Sequence, residues 1–150
     1  PFTEPAQLQL LMSCFSSKNT EIATLVRPVA SAEELADPNR PKVVVGSHGE
    51  AIYFSRAAIP YLRGKQPDTW HRHHPFYLHI GIYAYRKDIL QKITALPQSP
   101  LELAESLEQL RWIENGYRIA VRETRHDSFG IDTPDDLKRL TERGLPPEFR

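Results

Sequence analysis

His79, Tyr83 and Tyr85 stand on one side of a strictly alternating run, Leu78-His79-Ile80-Gly81-Ile82-Tyr83-Ala84-Tyr85-Arg86. Ile80, Ile82 and Ala84 point to the other side. Period two predicts a strand, and β-branched and aromatic residues favour that state. A half-buried strand ordinarily carries Lys, Glu or Thr on its wet face. An imidazole, phenols and a glycine suit the floor of a pocket, although a surface strand with incidental aromatics has the same pattern. Four more sets of residues carry chemical potential. Arg56 follows the apolar run Ala51-Ile52-Tyr53-Phe54. A guanidinium at the end of a buried strand needs an anion, either a substrate carboxylate held bidentately or a structural salt-bridge partner. Asp132, in Gly130-Ile131-Asp132-Thr133-Pro134, sits directly before a helix start. Open α/β sheets place ligands and metals at such junctions, so Asp132 can bind Mg²⁺ or simply assist the Thr133 cap. Glu108 and Gln109 are read as mid-helical, with water or substrate hydroxyls as their alternative partners. The cluster His71-Arg72-His73-His74 invites a zinc reading, but the lone Cys14 is remote and Arg72 opposes a cation. The segment is better read as a loop closing over a substrate.

The elements that must position these groups alternate between helix and strand. Thr3 can cap a helix with Leu8, Leu11, Met12 and Phe15 on its apolar side. Ile22 to Val29 reads as a strand, and Ser31 to Glu34 as a capping box opening a short helix. Lys42 to Val45 and Ala51 to Phe54 form a hairpin. Residues 61–77 contain Gly64, Pro67 and Pro75 without periodicity and are expected to be a long mobile loop. A helix follows from about Lys87 to Ala95. One strong helix then carries Leu103, Leu107, Leu110 and Ile113 and ends at Asn115-Gly116. Tyr117 to Val121 is a strand, and Thr133-Pro134-Asp135-Asp136 opens a last helix. The expected class is α/β, a single domain over 1–150 with an inserted hairpin.

Bulk properties exclude several functions. With 150 residues and 40% hydrophobic content, the chain can form one core. Nineteen basic and nineteen acidic residues cancel, which argues against a nucleic-acid partner or an anionic membrane held by bulk charge. A single cysteine and no long apolar run suit a cytoplasmic protein. The seven glycines are scattered, without GxGxxG or GxxxxGK[ST], so no Gly-rich phosphate cradle is present. No G-x-S-x-G or HExxH appears either.

Five collinear blocks resemble the 3-deoxy-D-manno-octulosonate (KDO) cytidylyltransferases, or CMP-KDO synthetases. They are Asn39-Arg40-Pro41-Lys42-Val43-Val44, the run from Ala51 to Pro60 containing Tyr53-Phe54-Ser55-Arg56, and His79 to Arg86. The remaining two are Ser99 to Arg111 with Glu105-Ser106-Leu107-Glu108-Gln109-Leu110-Arg111, and Gly130 to Leu137. The resemblance implies a nucleotidyltransferase (Rossmann-like) three-layer α/β/α fold with a mixed sheet and a homodimer. It implies transfer of CMP from CTP to the anomeric hydroxyl of KDO, with Mg²⁺, for lipopolysaccharide biosynthesis. By position, Arg56 would hold the sugar carboxylate, His79 and Tyr83 would line the sugar pocket, Glu108 and Gln109 would bind its hydroxyls, and Asp132 would bind Mg²⁺. Family members begin with a strand, a basic glycine-containing loop for CTP and a Gln-Gly-Asp-Glu-Pro segment, of which only the final Pro aligns, with Pro1. The expectation is therefore a C-terminal fragment, incomplete at its N-terminus and inactive alone. A synthetase for another sugar acid of the sialic-acid type, or a non-catalytic sugar-acid-binding and dimerisation module, are the alternatives.

Overall fold

The alternating stretch becomes the longest of the described strands, and the sheet is built around it. The computed structural model describes residues 3–126 and Lys138. Its helices are α1 (Pro5–Ser13), α2 (Ala32–Ala36), α3 (Lys87–Thr94), α4 (Pro100–Glu105) and α5 (Gln109–Glu114). Its strands are β1 (Ile22–Pro28), β2 (Lys42–Val45), β3 (Ala51–Ser55), β4 (Tyr77–Tyr85) and β5 (Ile119–Glu123), and 3-10 turns lie at Cys14–Ser16 and Pro67–Arg72. The strands form one sheet in the order β3-β2-β4-β1-β5. β4 runs antiparallel to β1 and β2, β2 is antiparallel to β3, and β5 is parallel to β1. The sheet is mixed, as expected, and the hairpin of β2 and β3 forms one side of it.

The period-two pattern sorts side chains into two cores. Ile80, Ile82 and Ala84 pack with Leu11, Cys14, Ala23 and Leu25 beneath α1. Tyr77, Tyr83 and Tyr85 pack with Ile22, Val26, Phe54, Ile89, Ile93, Leu110 and Trp112 beneath α3 and α5. Helices therefore cover both faces. Fully burying a side chain such as Leu110 stabilises the fold by about 1.5–3 kcal/mol, so the second face anchors helices too short to persist alone.

Between Thr24 and Leu25 the β1–β4 register shifts. Thr24 opposes Tyr83 whereas Leu25 opposes Ile80, leaving Gly81 and Ile82 without counterparts. This bulge keeps the alternation in phase, because two extra residues preserve period two.

Two expected helices differ from their sequence readings. The single helix predicted across 100–115 is α4 and α5, separated at Ser106, which adopts a left-handed conformation (φ 52°, ψ 49°). The break turns Leu103 outward to 61% exposure while Leu107 and Leu110 remain buried. Glu102 ties the halves together: its carboxylate accepts from the Ser99 N–H at 3.2 Å and from Arg111 Nε at 2.7 Å. Glu108 and Gln109 consequently stand at the start of α5 rather than mid-helix. In α1 the N-cap is Glu4 rather than Thr3. Gln7 and Leu11 face inward, whereas Leu8 and Met12 are exposed. Gln7 can be buried because its amide serves the Glu4 N–H and the His126 carbonyl.

The loop of residues 61–77 contains its own small core. Trp70 stacks on Phe76 and packs with Leu35, and its indole N–H donates to the Lys65 carbonyl at 3.0 Å. The predicted helix opening at Thr133 lies outside the described residues.

Candidate functional site

The face of β4 opposite α1 presents the imidazole and the phenols. His79 and Tyr83 meet with ring centroids 5.2 Å apart, and Phe54 of β3 approaches His79 edge-on at 5.1 Å. Trp112 of α5 packs edge-on against Tyr83 at 5.1 Å and Tyr85 at 5.6 Å. These geometries suit aromatic quadrupoles and fix the rings. Burial pulls the His79 pKa down to about 4, so the imidazole is neutral near pH 7. Burial also pushes the Tyr83 phenol well above its ordinary value, the neighbouring Tyr85 and Glu108 add to the rise, and the Thr24 hydroxyl opposes it. Tyr85 moves up to about 12, from burial first and then the Glu108 charge. The floor is therefore uncharged and able to donate and accept hydrogen bonds.

Above it lies the helix break. Gln109 is buried and Glu108 exposed, with the Glu108 charge close enough to act on both phenols. The Tyr83 hydroxyl and the Gln109 Nε2 are both sealed from solvent and make no hydrogen bond of good geometry among the described residues, although the Thr24 hydroxyl lies near enough to act on the phenol. Such groups are costly, and native folds satisfy nearly all of them.

Arg56, just past the end of β3, is clamped to the break. Its Nε donates to the Glu105 carbonyl at 2.7 Å, and its terminal nitrogens donate to the Pro38 and Ser106 carbonyls at 3.0 and 3.2 Å. The Glu105 carboxylate is occupied by the Ser55 hydroxyl at 2.6 Å and the Arg56 backbone N–H at 3.0 Å. The structural salt bridge offered as one reading of the Arg56 side chain is not formed among the described residues. Three of the five guanidinium donors bind neutral carbonyls, leaving two donors and the charge for a ligand. Lys42 reinforces this cationic corner. It is fully buried, its Nζ donates to the Asp37 carbonyl at 2.7 Å, and burial lowers its pKa against the pull of Asp37 and Glu105.

His79 and Tyr83 are thus in contact and the Glu108 charge acts on Tyr83, while Gln109 is placed only by its position next to Glu108, and Arg56 is fastened to the helix break from which Glu108 and Gln109 follow. Asp132, the expected Mg²⁺ ligand, lies outside the described residues. Among the described residues no three His, Cys, Asp or Glu side chains gather to hold a metal. An open surface depression lined by Lys18, Glu21, Arg86 and Arg118 involves none of the expected site residues. Thr24, Phe54, Trp112 and Glu105 shape the site without having been singled out. Thr24 had a signal: it is the polar residue in the apolar run Ile22-Ala23-Thr24-Leu25-Val26. Among the described residues no helix is long and apolar enough to cross a membrane.

Comparison with known proteins adds an independent observation. A family model described as cytidylyltransferase matches residues 1–119. The 3-deoxy-manno-octulosonate cytidylyltransferase of Parabacteroides distasonis is 54% identical over 143 residues, covering 93% of this chain and 57% of that protein. The protein of the same name from Porphyromonas gingivalis is 54% identical over 142 residues, covering 93% and 56%. A solved structure of CMP:2-keto-3-deoxy-manno-octonic acid synthetase complexed with CTP superposes with a TM-score of 0.81 at 37% identity. It covers 94% of this chain and 56% of its own. The chain spans little more than half the length of these relatives. With the matched sequence, the shared fold and the mixed sheet agreeing, the chain belongs to the cytidylyltransferase family.

Proposed function

We propose that this chain supplies the sugar-acid half of a CMP-KDO synthetase. In this reading the C2 hydroxyl oxygen of KDO forms a bond to the α-phosphorus of CTP. The bond from that phosphorus to the bridging oxygen breaks, pyrophosphate leaves and the hydroxyl proton passes to solvent. The protein's part in such a transfer is mainly positioning and charge neutralisation.

The observation that carries the reading is the half-buried, neutral His79 beside the Tyr83 phenol, with the Glu108 charge acting on that phenol from the helix break, in a protein whose relatives bear this name. Tyr83 Oη and Gln109 Nε2, both sealed from solvent, would meet sugar hydroxyls once binding opens the packing over them. The Arg56 guanidinium, whose charge meets no carboxylate among the described residues, would hold the KDO carboxylate, and neutral His79 would hydrogen-bond a hydroxyl. Mg²⁺, with Asp132 as one carboxylate ligand, would neutralise charge on the triphosphate. The segment 61–77 would close over bound sugar, hinged on its buried Trp70. The nucleotide pocket would come from sequence outside this chain, and the working enzyme would be a cytoplasmic homodimer serving lipopolysaccharide assembly.

The full-length enzyme containing this chain tests the reading. Arg56→Ala should raise the KM for KDO at least tenfold and leave the KM for CTP in place, as expected for loss of a charge-assisted contact. An unchanged KDO KM removes Arg56 from the carboxylate role. Replacing KDO with N-acetylneuraminate in the same assay should abolish turnover. The 150-residue chain alone should release no pyrophosphate from CTP and KDO.

A further inference from the structure

One buried hydroxyl has more neighbours than protons. Thr24 Oγ1, fully buried in β1, lies 2.8 Å from the Ile82 carbonyl, 3.3 Å from the Ile80 carbonyl and 3.1 Å from His79 Nε2, with the Tyr83 hydroxyl a looser neighbour that makes no hydrogen bond of good geometry. A hydroxyl has one proton and two lone pairs. The carbonyl oxygens can only accept. Were the proton aimed at the imidazole, Oγ1 and the Ile82 oxygen would face each other at 2.8 Å with nothing between them. The proton therefore goes to the carbonyls, and Oγ1 turns a lone pair to His79. Nε2 can occupy that position only by carrying a hydrogen.

The bulge creates this arrangement. Gly81 and Ile82 have no counterparts on β1, so the flanking carbonyls of residues 80 and 82 both turn onto Thr24. No partner reaches His79 Nδ1 among the described residues, and His79 keeps part of its surface open. Burial holds the ring neutral near pH 7, which leaves Nδ1 unprotonated.

We propose that Thr24 is a positioning residue that locks His79 in the Nε2–H tautomer, so that Nδ1 accepts a hydrogen bond from a hydroxyl of the bound sugar acid. The second half rests on the sugar-binding role proposed above. The first half does not.

The test is nitrogen-15 NMR on the full-length enzyme labelled at histidine, with His79→Gln identifying the signal. Nε2 should show the protonated signature and Nδ1 the downfield, unprotonated one, and KDO should move Nδ1 upfield. Thr24→Ser should keep this tautomer and the KDO KM. Thr24→Val should give a tautomer mixture and raise the KDO KM about tenfold with the CTP KM unmoved. If Thr24→Val does not fold, the wild type and Thr24→Ser still decide. A wild-type Nδ1–H tautomer, or an unaltered tautomer in Thr24→Val, overturns the role of Thr24. The predicted tautomer with a Nδ1 signal indifferent to KDO overturns the sugar contact instead.

Discussion

Tyr83→Phe should stabilise the protein and weaken its ligand. The substitution deletes one atom, a hydroxyl oxygen that is sealed from solvent and without a hydrogen-bond partner among the described residues. The ring stays, with its contacts to His79, Tyr85 and Trp112 intact. In mutational series, burying an unpaired hydroxyl costs about 1–3 kcal/mol. Removing it without creating a cavity should return about 1 kcal/mol, because the ring volume is conserved. For a chain of this size that corresponds to a rise in Tm of about 2–4 °C. Urea denaturation should show a higher midpoint with an unchanged slope, which places the effect on the native state. The same variant should raise the KDO KM by about three- to tenfold, the worth of one ordinary hydrogen bond. Opposite signs for stability and affinity are the diagnostic. A lower Tm would mean that the hydroxyl makes an internal hydrogen bond, and the argument for a ligand-facing donor would fail. A higher Tm with unaltered KM would leave the hydroxyl unpaired for no substrate.

Two pH predictions follow from buried ionisable groups. Burial alone would raise the Glu34 pKa, but hydrogen bonds from Arg27 and the Ala30 N–H, with the Arg27 and Arg40 charges, overcome it and hold the carboxyl at about 2. A depressed carboxylate stabilises above its unfolded pKa, so this contribution should disappear as pH falls from about 4.5 to about 2. Glu34→Gln should flatten the urea midpoint across that window, and an unchanged acid slope would show that the ion pairs add nothing. His79 loses stability in the same direction for the opposite reason, its charged form being disfavoured: the unfolded imidazole takes a proton near pH 6.5 that the folded one refuses until about 4. Stability should be complete above pH 6.5 and decline between these values, and His79→Gln should remove that part of the slope. Direct titration of His79 by NMR with a midpoint near 6.5 would refute it.

What the sequence made legible is what local periodicity controls. The alternation at residues 78–86 identified both the central strand and its two faces, because a period of two leaves a side chain only two directions. The hairpin was readable from uniform β-branching at Val43-Val44-Val45 and a turn whose Gly49 adopts φ +73°. The break between α4 and α5 was not, since the left-handed residue is a serine and neither Gly nor Pro marks it. A leucine spacing of four and three then counterfeits one continuous helix, and only tertiary packing decides that Leu103 faces solvent. In α1 the same ambiguity set Leu8 and Met12 against Gln7 and Leu11. The buried glutamine won because it had hydrogen bonds to make at Glu4 and His126, one of them remote in sequence. At the site, residue types were visible and their unmet hydrogen bonds were not. Whether Arg56 meets a carboxylate or only carbonyls depends on a chain segment 49 residues away.

The places where local rules fail converge on one region. A bulge interrupts β4 beside His79, a non-glycine residue takes a left-handed conformation at Ser106, and a phenol and an amide are buried at Tyr83 and Gln109 without hydrogen bonds among the described residues. A guanidinium ends β3 among carbonyls, without an anion among the described residues. Each feature costs stability in the ligand-free chain, and each has a structural consequence a more regular fold would lose. Closing the bulge would separate the two carbonyls from Thr24 and free the His79 tautomer. Continuing α4 into α5 would remove the bend that presents the Glu105 and Ser106 carbonyls to Arg56. Replacing the orphaned groups with apolar ones would erase the two hydrogen bonds that the proposed ligand would complete. Strain of this kind persists where surrounding packing over-determines it, and here the Phe54, Trp112 and Leu110 core does so from one side. A ligand that satisfies the orphaned atoms should therefore stabilise wild type more than Tyr83→Phe, which has one fewer group for it to complete.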